Sequence, residues 1–281
     1  MGGIRLVVVS SSFMINPAPP PVAPWVGHLA RVGYVAKAIL YITVGLLAAR
    51  AGLGQGGRTV DTEGALQVVH GVTFGRLALL VIAAGLLGYA CWRIVEAVVD
   101  PDGRGSDLKG AAVRASFAAR GVFHGALAIT ALRLAGRDRP TPHSDETRQW
   151  TAAAFDLPAG QLLVWLAAFG IAGYGVYQFY RAYASKLSRQ LDLSELSPQS
   201  VRWVVGVSRF GLAARGVVFC LIGYFLGRAA ARHDAALAGG VRKSLRTLAE
   251  IGRWPFIVVA LGLVAYGVYE MVNARYRRIR V

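Results

Sequence analysis

Acidic residues are scarce in this chain: 15 Asp and Glu stand against 31 Lys and Arg, for a formal net charge of +16 over 281 residues. Charged residues of both signs reach only 16%, below the roughly 25% of soluble domains, while 55% of the chain is hydrophobic. No basic run is interleaved with aromatics on a polar stretch, which argues against nucleic acid as the partner of that charge. The cations instead flank apolar segments, where they suit lipid headgroups and anionic lipid. Cysteine is nearly absent. Cys91 and Cys220 lie in separate apolar stretches and no CxxC exists, so neither a disulfide nor a zinc site is expected, and both are read as small buried hydrophobes. Alternation at period two is missing, which excludes a membrane β-barrel. Also missing are a P-loop, a dinucleotide fingerprint and a nucleophile–base motif. The sequence carries no catalytic signature and calls for no cofactor or metal.

What is present is a threefold repetition. Arg31, Lys37 and Arg50 are separated by 6 and 13 residues, as are Arg114, Arg120 and Arg133, and Arg209, Arg215 and Arg228. From first to last, each set spans about 28 Å of helix, close to the hydrocarbon thickness of a bilayer. Three odd-numbered spans are therefore predicted near 31–50, 114–133 and 209–228. Three even-numbered ones are predicted near 77–99, 157–181 and 254–273. No proline interrupts a span, and Pro158 and Pro255 fall near helix starts, where a missing N–H costs little.

The even spans share the motif G-x-x-[GA]-Y-[AG]-x-[WY]. Its copies are Gly85, Gly88, Tyr89 and Trp92; Gly170, Gly173, Tyr174 and Tyr177; and Gly262, Ala265, Tyr266 and Tyr269. On a helix these positions fall within about 100° of one another, so small residues and aromatics share a face suited to close helix packing. Each repeat reads as a two-helix hairpin that returns the chain to its starting side. Three parallel hairpins suggest a pseudo-three-fold bundle, with a linear arrangement as the alternative. The division is a Pro-rich disordered leader over 1–27, then hairpin repeats over 28–112, 113–200 and 201–281, the last with a basic tail.

The R-x-G-Y-x-A-[KR] start at Arg31–Lys37 and the G-x-x-G-Y-x-x-[WY] end at Gly85–Trp92, in three copies, resemble a bacterial membrane family catalogued as domain of unknown function 1206. The resemblance covers about residues 28 to 275. It implies an all-α integral membrane protein and no particular activity. Phe117 keeps the aromatic of Tyr34 in the second copy, whereas Leu212 departs from it in the third. An even number of spans puts both termini on one side. The basic residues divide almost evenly between sides, and the Arg275, Arg277, Arg278 and Arg280 cluster after the last span assigns the termini to the cytoplasm of a bacterium, with the chain in its plasma membrane.

Lys37, Arg120 and Arg215 are the candidate functional residues. Each lies about 9 Å inside its span and is followed by a stretch of uncharged residues too short to cross a bilayer alone. Three fates compete: snorkelling to the headgroups, pairing with Glu96 and Glu270 near the ends of even spans, or convergence on an anion such as a lipid phosphate. Tyr34, Lys37 and Tyr41 share a helix face, and His124 occupies the corresponding place after Arg120, read as a hydrogen-bonded interior residue. The acid pairs Asp61 with Glu63 and Asp145 with Glu146 read as solvated charges in short polar loops. The expected role is a non-catalytic scaffold or a module binding lipid, anionic lipid included, a protein partner or a second copy. The alternative is a small anion-selective transporter or channel.

Overall fold

The structure is a computed structural model that describes residues 24–100, 103, 105–136, 146–184, 187 and 191–277, with side chains from residue 31 onward. The described residues form nine α-helices. Six are long and apolar enough to cross a membrane. They are α1 (Pro24–Gly52, apolar from Arg31), α3 (Gly75–Val98), α4 (Leu108–Ala135), α6 (Gly160–Tyr183), α7 (Pro198–Arg232) and α9 (Arg253–Tyr276). The other three are short connectors, one inside each hairpin: α2 (Thr62–His70), α5 (Glu146–Phe155) and α8 (Val241–Ile251). Helices are what such apolar runs must form in lipid, where no water satisfies a free peptide group.

The ends obey capping chemistry. Asp107 accepts a hydrogen bond from Gly110 N at 3.0 Å and starts α4, and Ser197 accepts one from Ser200 N ahead of Pro198 at the start of α7. These caps lie upstream of the expected boundaries at 113 and 201, because capping residues and not the first cation set the start. The first helix likewise begins at Pro24, inside the stretch read as leader; residues 1–23 lie outside the described residues. The joints from α2 to α3 and from α5 to α6 repeat each other. Phe74 and Ala159 take left-handed conformations, with φ of 63° and 59°. The following Gly75 and Gly160 press on the preceding turn so closely that a Cβ would lie 2.3 Å from Val69 O and 2.0 Å from Ala154 O.

Each even helix packs most heavily on the odd helix of the next copy: α3 on α4, α6 on α7, and α9 on α1. These three joints relate the hairpins as a pseudo-three-fold ring, so the linear alternative does not hold. Within the hairpins, α1 packs on α3 and α7 on α9, but α4 and α6 do not pack in the same way. The ring is therefore closed at five of its six seams and parted at one. Arg31 donates to the carbonyls of Ala274 and Arg275 at 3.0 and 2.8 Å, which ties the described ends of the chain together on one side. The connectors α2, α5 and α8 cover the opposite side.

Small residues make the joints. A Cβ on Gly216 would lie 3.0 Å from Gly175 O, one on Gly121 3.1 Å from Ala90 O, and one on Gly267 2.9 Å from Ala38 O. The residue after each span cation thus meets the residue after the preceding copy's motif tyrosine. This close approach is the packing device of membrane helices. Cys91 is exposed on the outside of α3 and Cys220 is half-buried, so the reading of both as buried hydrophobes fails for Cys91. An outward position costs a small apolar side chain nothing in lipid.

Candidate functional site

The threefold pattern continues in the side chains. Each span cation lies over its own copy's motif tyrosine: Lys37 over Tyr89 at 4.5 Å, Arg120 over Tyr174 at 5.2 Å, and Arg215 over Tyr266 at 4.5 Å. The residue four positions on packs against the motif tyrosine of the preceding copy. Tyr41 meets Tyr266 at 4.6 Å, His124 meets Tyr89 at 4.7 Å and Phe219 meets Tyr174 at 5.1 Å between ring centroids. Cation–π contact of this kind lowers the cost of burying a charge by about 0.5–2 kcal/mol.

The copies diverge one helical turn beyond the motif tyrosine, where the three equivalent residues are Arg93, Gln178 and Glu270. Glu270 receives Lys37, with Nζ to Oε1 at 2.8 Å and both side chains at most 5% exposed. Arg93 turns instead to Glu96, one turn along its own helix, and donates to Tyr89 at 2.9 Å and Tyr34 at 3.4 Å. Of the two acids offered as partners for the span cations, Glu270 takes Lys37, while Glu96 is occupied by Arg93. Sequence reasoning missed Arg93, which the alignment of copies marks as the odd member of its triplet.

Arg120 and Arg215 make no direct ion pair with a carboxylate among the described residues, although Arg215 reaches Glu270 through the hydroxyl of Tyr266. Arg215 is 7% exposed. It donates to Tyr266 at 2.6 Å and Tyr174 at 3.4 Å, and its Nε has no partner. Half-buried Arg120 donates to Ser116 Oγ at 3.1 Å. His124 Nδ1–H donates to the Arg120 carbonyl at 2.7 Å, which fixes its tautomer.

Both guanidiniums line a cavity of about 1280 Å³. Tyr174, His124 and Tyr41 border it with them, Phe123, Leu127, Ile171, Phe219, Ile222 and Leu226 give it apolar walls, and charged residues of α2, α5 and α8 form its rim. Of the six residues proposed from sequence to hold a ligand, Arg120, Arg215, Tyr41 and His124 are on this surface. Lys37 and Tyr34 are not; they are sealed in the tyrosine and ion-pair layer.

The cavity separates α4 from α6, and the parted seam has a local cause. In the first hairpin a Cβ on Gly33 would lie 2.4 Å from Tyr89 Cβ, and in the third a Cβ on Gly211 would lie 2.4 Å from Tyr266 N. The second hairpin carries Ser116 at that place, and a serine already has the Cβ that this approach forbids. The motif glycines follow suit. Gly85 and Gly88 are buried, Gly85 against Val32 and Ala36, and Gly262 sits against Ala214 with Ala265 also buried. Around Gly170 and Gly173, a Cβ would meet nothing within 4 Å. The helix-packing role expected of these two glycines is absent in this hairpin.

The rim differs from the solvated loops expected there. Asp61 caps α2 by accepting from Gly64 N at 2.8 Å and lies 4.0 Å from Arg242. Glu63, in the first turn of α2, is pushed up to about 7 by burial, by the neighbouring Glu146 and Asp61 carboxylates, and by a hydrogen bond with Glu146; Arg242 acts in the opposite sense. Asp145 lies outside the described residues.

The family described as Domain of Unknown Function (DUF1206) matches this chain three times, at residues 32–100, 115–185 and 210–277. The chain belongs to this family. Each match covers one hairpin together with its connector. The uncharacterized protein YxxB of Bacillus subtilis (strain 168) is similar, with 30% identity over 258 residues, 91% of this chain and 93% of the relative. No solved structure matches. The family unit is thus a hairpin of two spans, and this chain holds three of them in six membrane-compatible helices.

Proposed function

We propose that the protein is a membrane binding module that holds an anion in the cavity between α4 and α6, with Arg120 and Arg215 as its cationic floor. The observation that carries this reading is two guanidiniums on one intramembrane cavity without a direct carboxylate partner among the described residues. A charge kept inside a bilayer costs at least about 2.5 kcal/mol at its centre. The third copy's neighbour at Lys37 shows how such a charge is neutralised when only structure is at stake: a carboxylate is supplied. Among the described residues, Arg120 has no such partner and Arg215 has Glu270 only through the hydroxyl of Tyr266, an arrangement that suits a ligand bringing negative charge.

Binding is favoured over conduction because a buried layer closes the terminal side where the first and third hairpins meet. Tyr34, Tyr89, Lys37, Arg93, Glu96 and Glu270 are all buried there. The test uses the purified full chain in phosphatidylcholine nanodiscs. Inorganic phosphate and dodecyl phosphate are each titrated against wild type and Arg120→Gln, following the unfolding temperature. At least one of the two anions is expected to stabilise wild type, and Arg120→Gln to abolish that effect. Equal responses in the two proteins overturn the reading. Proteoliposomes that carry phosphate across the bilayer, with the flux lost in Arg120→Gln, establish the transporter in its place.

A further inference from the structure

We infer that the anion arrives on an alkyl chain: the cavity takes an anionic amphiphile from the surrounding bilayer, with its phosphate or carboxylate head on Arg120 and Arg215 and its chain in the slot between α4 and α6. The inference rests on the anion-binding reading and adds the other half of the ligand. Three observations carry it. First, the slot is a built feature of one hairpin: Ser116 stands where the closed hairpins carry a glycine, and a Cβ on Gly170 or Gly173 would meet nothing within 4 Å. A gap between two membrane helices is filled by the solvent at that depth, which is hydrocarbon. Second, the walls above the cations are apolar, among them Ile171, Phe219, Ile222 and Leu226. Such a wall receives an alkyl chain at about 0.8 kcal/mol per buried CH₂ and offers a small hydrated anion no contact. Third, about 1280 Å³ exceeds the roughly 300–1,000 Å³ of sites for drug-sized ligands, and an inorganic anion would leave it mostly empty.

Head and chain are separated by three probes against the full chain in phosphatidylcholine nanodiscs: dodecyl phosphate, inorganic phosphate and dodecanol. Dodecyl phosphate is expected to bind wild type at least about tenfold more tightly than either of the others, since each lacks one of the two contacts. Gly170→Leu places a side chain in the slot from a position where a Cβ would meet nothing within 4 Å. It is expected to weaken dodecyl phosphate about tenfold and to leave inorganic phosphate unchanged. Inorganic phosphate binding as tightly as dodecyl phosphate overturns the inference and makes free anion the ligand. So does a Gly170→Leu protein of wild-type unfolding temperature that keeps its affinity for dodecyl phosphate. If Gly170→Leu does not fold, the three probes on wild type decide alone. Failure of the anion-binding reading is distinct: Arg120→Gln then binds every probe as wild type does.

Discussion

The first and third hairpins are closed and the second is parted, although all three are built from one repeat. In the closed pair a glycine on the odd helix, Gly33 or Gly211, meets the motif tyrosine's backbone or Cβ on the even helix. In the parted hairpin Ser116 stands at that position and the motif glycines face open space. The charges set the first and second hairpins apart: Lys37 is neutralised by Glu270, while Arg120, on the parted hairpin, has Ser116 and two aromatic faces. The contrast teaches that the joints between copies and two closed hairpins suffice to hold the ring, and that the remaining seam is free to become a site.

The strongest way to break this contrast is to remove one partner of the sealed pair. Glu270→Ala leaves the Lys37 ammonium buried without a counter-charge, which is expected to cost about 3–5 kcal/mol. Arg120→Ala removes a half-buried charge that no carboxylate pairs with, and is expected to change stability by less than about 1 kcal/mol. Unfolding in detergent, read by circular dichroism, compares the two. Equal losses would show that Arg120 is as structural as Lys37.

A smaller effect is expected from transplanting the serine. Gly33→Ser gives the first hairpin the residue of the second and drives a Cβ toward one that would stand 2.4 Å away. Overpacking of this kind costs about 1–3 kcal/mol and is expected to loosen α1 from α3. Gly170→Ala, by contrast, adds a methyl where nothing stands within 4 Å. It is expected to be neutral or to stabilise by up to about 0.5–1 kcal/mol. Paired denaturation curves check both, and a benign Gly33→Ser would remove Ser116 as the cause of the parted seam.

Much of the architecture was legible in the spacing of Arg31, Lys37 and Arg50 and its two echoes, because a span's length and its flanking charges are fixed by the bilayer. The shared face of Gly85, Gly88 and Tyr89 was legible too, since helical periodicity places those residues together. What it faced was not. Gly170 and Gly173 carry the same motif as Gly85 and Gly88, and only their partner on the facing helix, Ser116, separates an open face from a packed one. Glu96 was misjudged for a related reason: depth along a span limits which acids can reach a cation, but rotation about the helix decides, and Arg93 one turn away reached it first. The short helices α2 and α5 stand where the sequence reads as polar loops, and α8 takes the same place in the third hairpin. Their few apolar positions, such as Leu66 in α2 and Leu245 in α8, are buried by tertiary packing that a short segment does not announce.

The smallest expected effect sharpens the comparison at the rim, where α2 of the first hairpin meets α5 of the second. Glu63 is shifted from an ordinary 4.5 to about 7 by burial, by the Glu146 carboxylate of α5 and by Asp61 at its own cap, against the attraction of Arg242 in α8. The folded state thus holds its proton more tightly than the unfolded chain does. The stabilisation is complete below about 4.5 and is lost as pH rises through about 7. Above that, two charged carboxylates face each other across the rim and push α5 from α2. Glu63→Gln keeps a neutral hydrogen-bonding group at every pH. Amide exchange of α5, compared between wild type and Glu63→Gln at matched pH on both sides of 7, is expected to diverge on the alkaline side, with wild type the less protected. Protection that runs parallel in the two proteins across the whole range would mean that the carboxyl pair does not hold the second hairpin's connector, and that the seam beneath it opens without regard to pH.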